Sequence, residues 1–162
     1  MGYIFAIDPG STESAYCMMG EDARPVHFAK LPTDDLIVVM HNWFRDFSTV
    51  VIERVASYGM PVGREVFETC EWIGRFAQVA SDLGLPVEYV FRQEEKLTVC
   101  KSPKANDATI RRALIDRFAS HDLSNGKGTK KNPDFFYGFK ADCWSAFCVG
   151  LVSLSRRGLI DL

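Results

Sequence analysis

The chain has 162 residues, 47% hydrophobic and 25% charged, with a formal charge of −2. That size points to one domain, able to bury about 70% of its unfolded surface. The small negative charge excludes a surface that binds polyanions everywhere. No apolar run approaches the ~20 residues of a membrane span, and the N-terminus lacks the basic-then-apolar pattern of a signal peptide. Five cysteines without CxxC spacing read as reduced thiols of a cytoplasmic protein, mostly in its core, not as a disulfide framework or zinc site.

Five apolar residues, Tyr3 to Ile7, predict a buried strand that ends in Asp8 and turns at Pro9-Gly10. Residues 14–20 and 25–30 follow as two further strands in an antiparallel meander. Thr33-Asp34-Asp35 opens an amphipathic helix carrying Leu36, Val39, Met40, Trp43, Phe44 and Phe47 on one side. Val50-Val51-Ile52-Glu53 is a fourth strand, again apolar and again ending in an acid; its continuous apolar run suits a strand covered on both faces. Residues 54–63 are a loop punctuated by Gly59, Pro61 and Gly63, and a long helix follows over 64–83 with Gly84 as its stop.

A fifth strand covers 86–91. Residues 92–100 are ambiguous, with a short helix as one reading. Asn106 caps a helix running to Phe118. Residues 120–138, rich in Gly, Lys and Asn, predict a mobile loop too polar to pack. The last helix runs over 140–157, ended by Gly158. The order βββαβαβ-α-α predicts an α/β fold with a mixed five-stranded sheet of the ribonuclease H-like kind. In it the ends of the first and fourth strands are neighbours, so Asp8 and Glu53 meet.

Asp142, near the start of the last helix, offers a third acid. One acid there satisfies the helix dipole. Three carboxylates brought together repel one another unless a cation holds them, and an all-oxygen set suits Mg²⁺ or Mn²⁺ rather than zinc. Two such ions can activate water and steady the leaving oxygen in phosphodiester cleavage.

These residues carry a resemblance. Ile7-Asp8-Pro9-Gly10-Ser11, Ile52-Glu53 and Asp142 resemble, in order, the acid motifs of RuvC-type Holliday junction resolvases, in the branch carried by bacteriophages and prophages. Residues 104–112 resemble that family's DNA-contacting helix start, and residues 128–133 followed by Tyr137-Gly138 are similar to the phage-type branch. The resemblance implies an endonuclease of branched DNA in a bacterial cytoplasm, with Asp8, Glu53 and Asp142 as metal ligands; two symmetric nicks with one site per chain then make a homodimer the simplest arrangement. The long helix over 64–83 is the expected dimer seam, since Phe67, Trp72 and Val79 leave it apolar beyond its core stripe.

One departure stands out. The family usually has an acid or histidine three residues before its last Asp, and here that place is Phe139. Either three carboxylates suffice, or Asp134 or Asp107 supplies a fourth. Tyr58 and Met60 in the loop after Glu53 are candidates to wedge against bases, Tyr58 by stacking worth about 1–3 kcal/mol. Arg64, Lys101, Lys104, Arg111, Arg112, Lys127, Lys130, Lys131 and Lys140 are candidates to follow phosphates. Three other readings compete: an actin-like ATPase or sugar kinase lobe, a pre-ribosomal RNA nuclease of the same fold, and a catalytically silent junction-binding protein. The first needs a second lobe and a second phosphate loop, for which 162 residues leave no room.

Overall fold

The computed structural model describes residues 2–162. Five strands, β1 (Tyr3–Asp8), β2 (Glu13–Met19), β3 (Pro25–Pro32), β4 (Phe47–Arg54) and β5 (Val87–Phe91), form one sheet in the order β3-β2-β1-β4-β5. β1, β2 and β3 pair antiparallel; β4 joins β1 in parallel and β5 joins β4 in parallel. Short turns suffice for the first three. The parallel pairs need crossovers, which α1 (Thr33–Trp43) and α2 (Arg64–Asp82) supply. α3 (Arg92–Cys100), α4 (Asp107–Phe118) and α5 (Cys143–Arg156) complete the chain.

The uninterrupted apolar runs of β1 and β4 are explained by two separate cores. Phe5, Ile7, Val50 and Ile52 pack under α1 and α2 with Leu36, Met40, Ile73 and Phe76. Ile4, Ala6 and Val51 face the other way, under α5. α5 is buried nearly all round, from Cys143 to Leu154 with only Ser145 half-exposed, as expected for a helix apolar on every side. It lies close on the sheet at Gly150, where a methyl group would stand 2.6 Å from Sδ of Met19 and 3.3 Å from Cβ of Ala6. Among the described residues no helix is long and apolar enough to cross a membrane.

The structure resolves one open reading and corrects two expectations. Residues 92–100 are a helix outright, closed by Lys101 in the left-handed region (φ 57°). α5 begins at Cys143, three residues later than expected, because Ala141 at φ 31° breaks the helical path. Residues 120–138 are not a polar loop too open to pack. Asp134 accepts hydrogen bonds from the backbone N–H groups of Ser120 (2.8 Å), His121 (2.8 Å), Asp122 (2.6 Å) and Phe135 (2.7 Å). Asp122 in turn accepts from Asn125, Lys127 and Gly128. Two carboxylates thus organise the turn, while Phe135 and Phe136 anchor it against Phe118 and Phe147.

Candidate active site

Strand register builds the site. Ile7 sits beside Ile52 across the parallel β1–β4 pair, so the next residues, Asp8 and Glu53, leave the sheet at the same end. Asp8 lies opposite Ala15 on β2, and Ala15 opposite Lys30 on β3. Directly opposed residues share a face, so Asp8, Ala15 and Lys30 form one row on the side that α5 covers. α5 brings Asp142 there at its N-cap position, where the side chain caps no helix N–H and instead meets Lys30 (Nζ to Oδ2, 2.7 Å).

On the other flank, Glu53 pairs with Val90 of β5, and α3 starts two residues later. α3 contributes Arg92 and Glu95. Arg92 donates to Glu95 Oε1 at 3.0 Å and also pairs with Asp107 at the start of α4. Glu95 is fully buried, and its Oε2 has no hydrogen-bond partner. Sequence reading missed Lys30, Arg92 and Glu95. The available signal was positional: Arg92 and Glu95 stand one helical turn apart directly after the strand that flanks Glu53.

Crowding of acids sets the electrostatics. Burial pushes Asp8 up to about 9, helped by the charge and hydrogen-bonding proximity of Glu53 and then by Asp142, against the pull of Arg92. Burial likewise pushes Glu95 up to about 10, with Glu53 again adding and Arg92 opposing. Lys30 is raised by its hydrogen bond to Asp142 and by that carboxylate's charge. Among the described residues, no three acids as they lie stand close enough to chelate one ion together. Asp142 is engaged by Lys30, and Glu95 by Arg92. The donors nonetheless fit a hard divalent cation: they are all oxygens, they repel one another, and one buried oxygen lacks any partner.

The structure separates the other sequence-derived candidates. Asp134 is corrected: held by four backbone N–H groups at the turn of residues 120–138, it has a structural task and is not a fourth ligand. Asp107 lies at the rim, lining a cavity of about 190 Å³ with Arg92, Arg111, Asp142 and Trp144. Phe139 is buried among Phe28, Phe136, Trp144 and Phe147, so the place of the family's extra acid is filled by core.

Arg111 lies over the Trp144 ring, 5.0 Å from its centre, and both line that cavity. Arg112 is corrected as a free phosphate contact, because its guanidinium is occupied by Asp116 and by the carbonyls of Leu123 and Ser124. Lys101 donates to the carbonyl of Thr98, and Arg64 pairs with Glu68. Lys104, Lys130, Lys131 and Lys140 are exposed, and Lys127 is half-buried. Tyr58 and Met60 are 65% and 70% exposed, so the loop after β4 is not folded back on the core. Tyr58 also lines a recess shared with Glu53 and Arg92.

A mixed sheet in this order, with acids at the ends of β1 and β4, defines a ribonuclease H-like fold of the RuvC form. The chain is similar to RuvC of Thermus thermophilus, with 15% identity and a TM-score of 0.67 over 97% of each chain. It is similar also to T. thermophilus RuvC in complex with Holliday junction substrate, with 15% identity and a TM-score of 0.68 over 98% of this chain and 96% of that one. At that identity the likeness is one of fold. No family model matches the sequence, and no curated protein sequence does.

Proposed function

We propose that this protein is a metal-dependent endonuclease of branched DNA, with four-way junctions as its main substrate. The observation that carries this reading is the gathering of Asp8, Glu53 and Asp142 at one end of a RuvC-like sheet. Asp8, Glu53 and Asp142 would hold Mg²⁺ or Mn²⁺, which supplies the positive charge that phosphodiester hydrolysis needs at the attacking and leaving oxygens. The chain's own part is to fix those carboxylates on rigid strand ends and a buried helix. Lys30 must give up Asp142 for that carboxylate to join the other two. Arg111 offers positive charge in the cavity beside Asp142, exposed Lys104 and Lys140 are further candidates to follow phosphates, and Tyr58 and Met60 present apolar surface to unstacked bases.

We propose further that the protein acts as a homodimer, since two symmetric nicks call for two sites. The face of α2 that carries Phe67, 61% exposed, is the candidate seam. A strictly monomeric mass in solution, with and without junction DNA, would remove that part of the proposal.

The direct test is cleavage of a four-way junction with Mg²⁺ or Mn²⁺, beside linear duplex and RNA. Asp8→Asn, Glu53→Gln or Asp142→Asn should each lower the cutting rate by about 100-fold or more, as expected when a group acting on the reacting phosphate is lost. Junction binding should persist, because the phosphate contacts lie elsewhere. An Asp8→Asn protein that cuts at full rate would take Asp8 out of the reaction. Preferential cutting of RNA would favour the ribosomal-RNA nuclease reading, and binding without cutting the silent binder.

A further inference from the structure

We infer that Glu95 is a fourth carboxylate of the cation site, supplied from α3 where Phe139 can supply none. The inference rests on the proposed metal-dependent reading and names a ligand that neither the sequence motifs nor Asp134 or Asp107 provides. Three observations carry it. Glu95 is 0% exposed, which is rare for an acid unless something holds it. Its Oε1 is satisfied by Arg92 at 3.0 Å, so a purely structural ion pair is already complete with one oxygen. Its Oε2 has no donor at all.

The surroundings of that oxygen point one way. Glu53 lies within hydrogen-bonding reach of Glu95 and of Asp8, so on that side the buried oxygens meet only other carboxyl groups. Cys148 of α5 also borders Glu95, yet a thiol is a weak donor and makes no hydrogen bond to Oε2. Buried carboxyl groups crowded against one another add nothing to the fold; glutamine or methionine would serve better there. A divalent cation between Glu53 and Glu95 would satisfy both. Glu94, the other acid at the start of α3, is committed elsewhere, to the N–H of Phe91 and to Arg156. Arg92 then acts as a positioning residue, holding Glu95 by Oε1 and leaving Oε2 toward the cation.

The test uses the full chain without DNA and reads Mn²⁺ binding by calorimetry and by the Mn²⁺ spin-resonance signal. Wild type, Glu95→Gln and Asp8→Asn are compared. Glu95→Gln keeps the side-chain shape and an acceptor for Arg92. The expected result is a thermal midpoint without metal at or above that of wild type, together with Mn²⁺ affinity lower by about 10-fold or more. Should Glu95→Gln fail to fold, Glu95→Asp keeps the charge, withdraws it by one methylene, and should show the same direction of change. A folded Glu95 variant with wild-type Mn²⁺ affinity overturns the inference and leaves Glu95 as a partner of Arg92 only. The parent reading fails differently: wild type that binds no Mn²⁺, or Asp8→Asn that binds it normally, removes the site itself.

Discussion

Asp134 shows how much one carboxylate can organise. Desolvation acts to raise it, but the N–H groups of Ser120, Asp122, His121 and Phe135 outweigh that and hold it well below the usual carboxylate range. Replacing it with alanine leaves four N–H groups without their acceptor, so Asp134→Ala should cost about 3 kcal/mol or more, measured by urea unfolding. The sign with pH follows. A lowered folded value contributes stability above the ordinary carboxylate range that is lost as pH falls through it, so the gap between wild type and Asp134→Ala should narrow in acid. From sequence, Asp134 passed for a possible metal ligand because composition cannot distinguish a carboxylate that binds its own backbone from one left free. Asp8 and Glu53 were legible because each ends an apolar strand. Glu95 was not, since nothing in Arg92-Gln93-Glu94-Glu95 marks which acid turns inward.

The elements divide the same way. β1 and residues 50–53 of β4 could be read directly, because apolar runs of five and three residues, each closed by an acid, have few alternatives to a strand covered on both faces. Residues 120–138 could not. Their polar count suggested a mobile tether, while the fold depends on Asp122, Asp134 and the Phe135-Phe136 pair. This alters what the lysines there should do. A loop already folded has no ordering step left to couple to the reaction. Changing Lys127, Lys130 and Lys131 together to alanine should therefore weaken junction affinity and flatten its salt dependence, by up to about one unit of log–log slope per lost phosphate contact. The cutting rate at saturating DNA should stay as in wild type. A drop in that saturated rate would show instead that the turn and the start of α5 move together.

Across the whole molecule, the acids at the sheet end set a pH dependence opposite to that of Asp134. In the cation-free protein Asp8 and Glu95 are raised, to about 9 and about 10, whereas the unfolded chain ionises them near 4. The folded state therefore binds more protons across that interval. The stability they contribute is fully present below about pH 4 and is lost as pH rises through about 9. The thermal midpoint measured in a chelator should accordingly fall from mildly acid to alkaline pH. Mg²⁺ or Mn²⁺ should restore most at the alkaline end, releasing protons as it binds. A midpoint flat over that range would show that the acids are ionised and paired without metal.

Gly150 gives the close seating of α5 on β1 and β2 a mechanical meaning. It is a fulcrum: the helix touches the sheet there, and Asp142 stands eight residues away, about 12 Å along the axis. Gly150→Ala would press against Met19 and Ala6, both fully buried, and should cost about 1–3 kcal/mol by overpacking. The larger effect falls at the far end of the lever. A tilt of about 5° carries Asp142 through about 1 Å, a misplacement that can cost on the order of 100-fold in rate. Gly150→Ala should then remain folded by circular dichroism, bind junction DNA normally, and cut it far more slowly. The smallest side chain in the protein would in that case be setting the tolerance to which its reacting groups are machined.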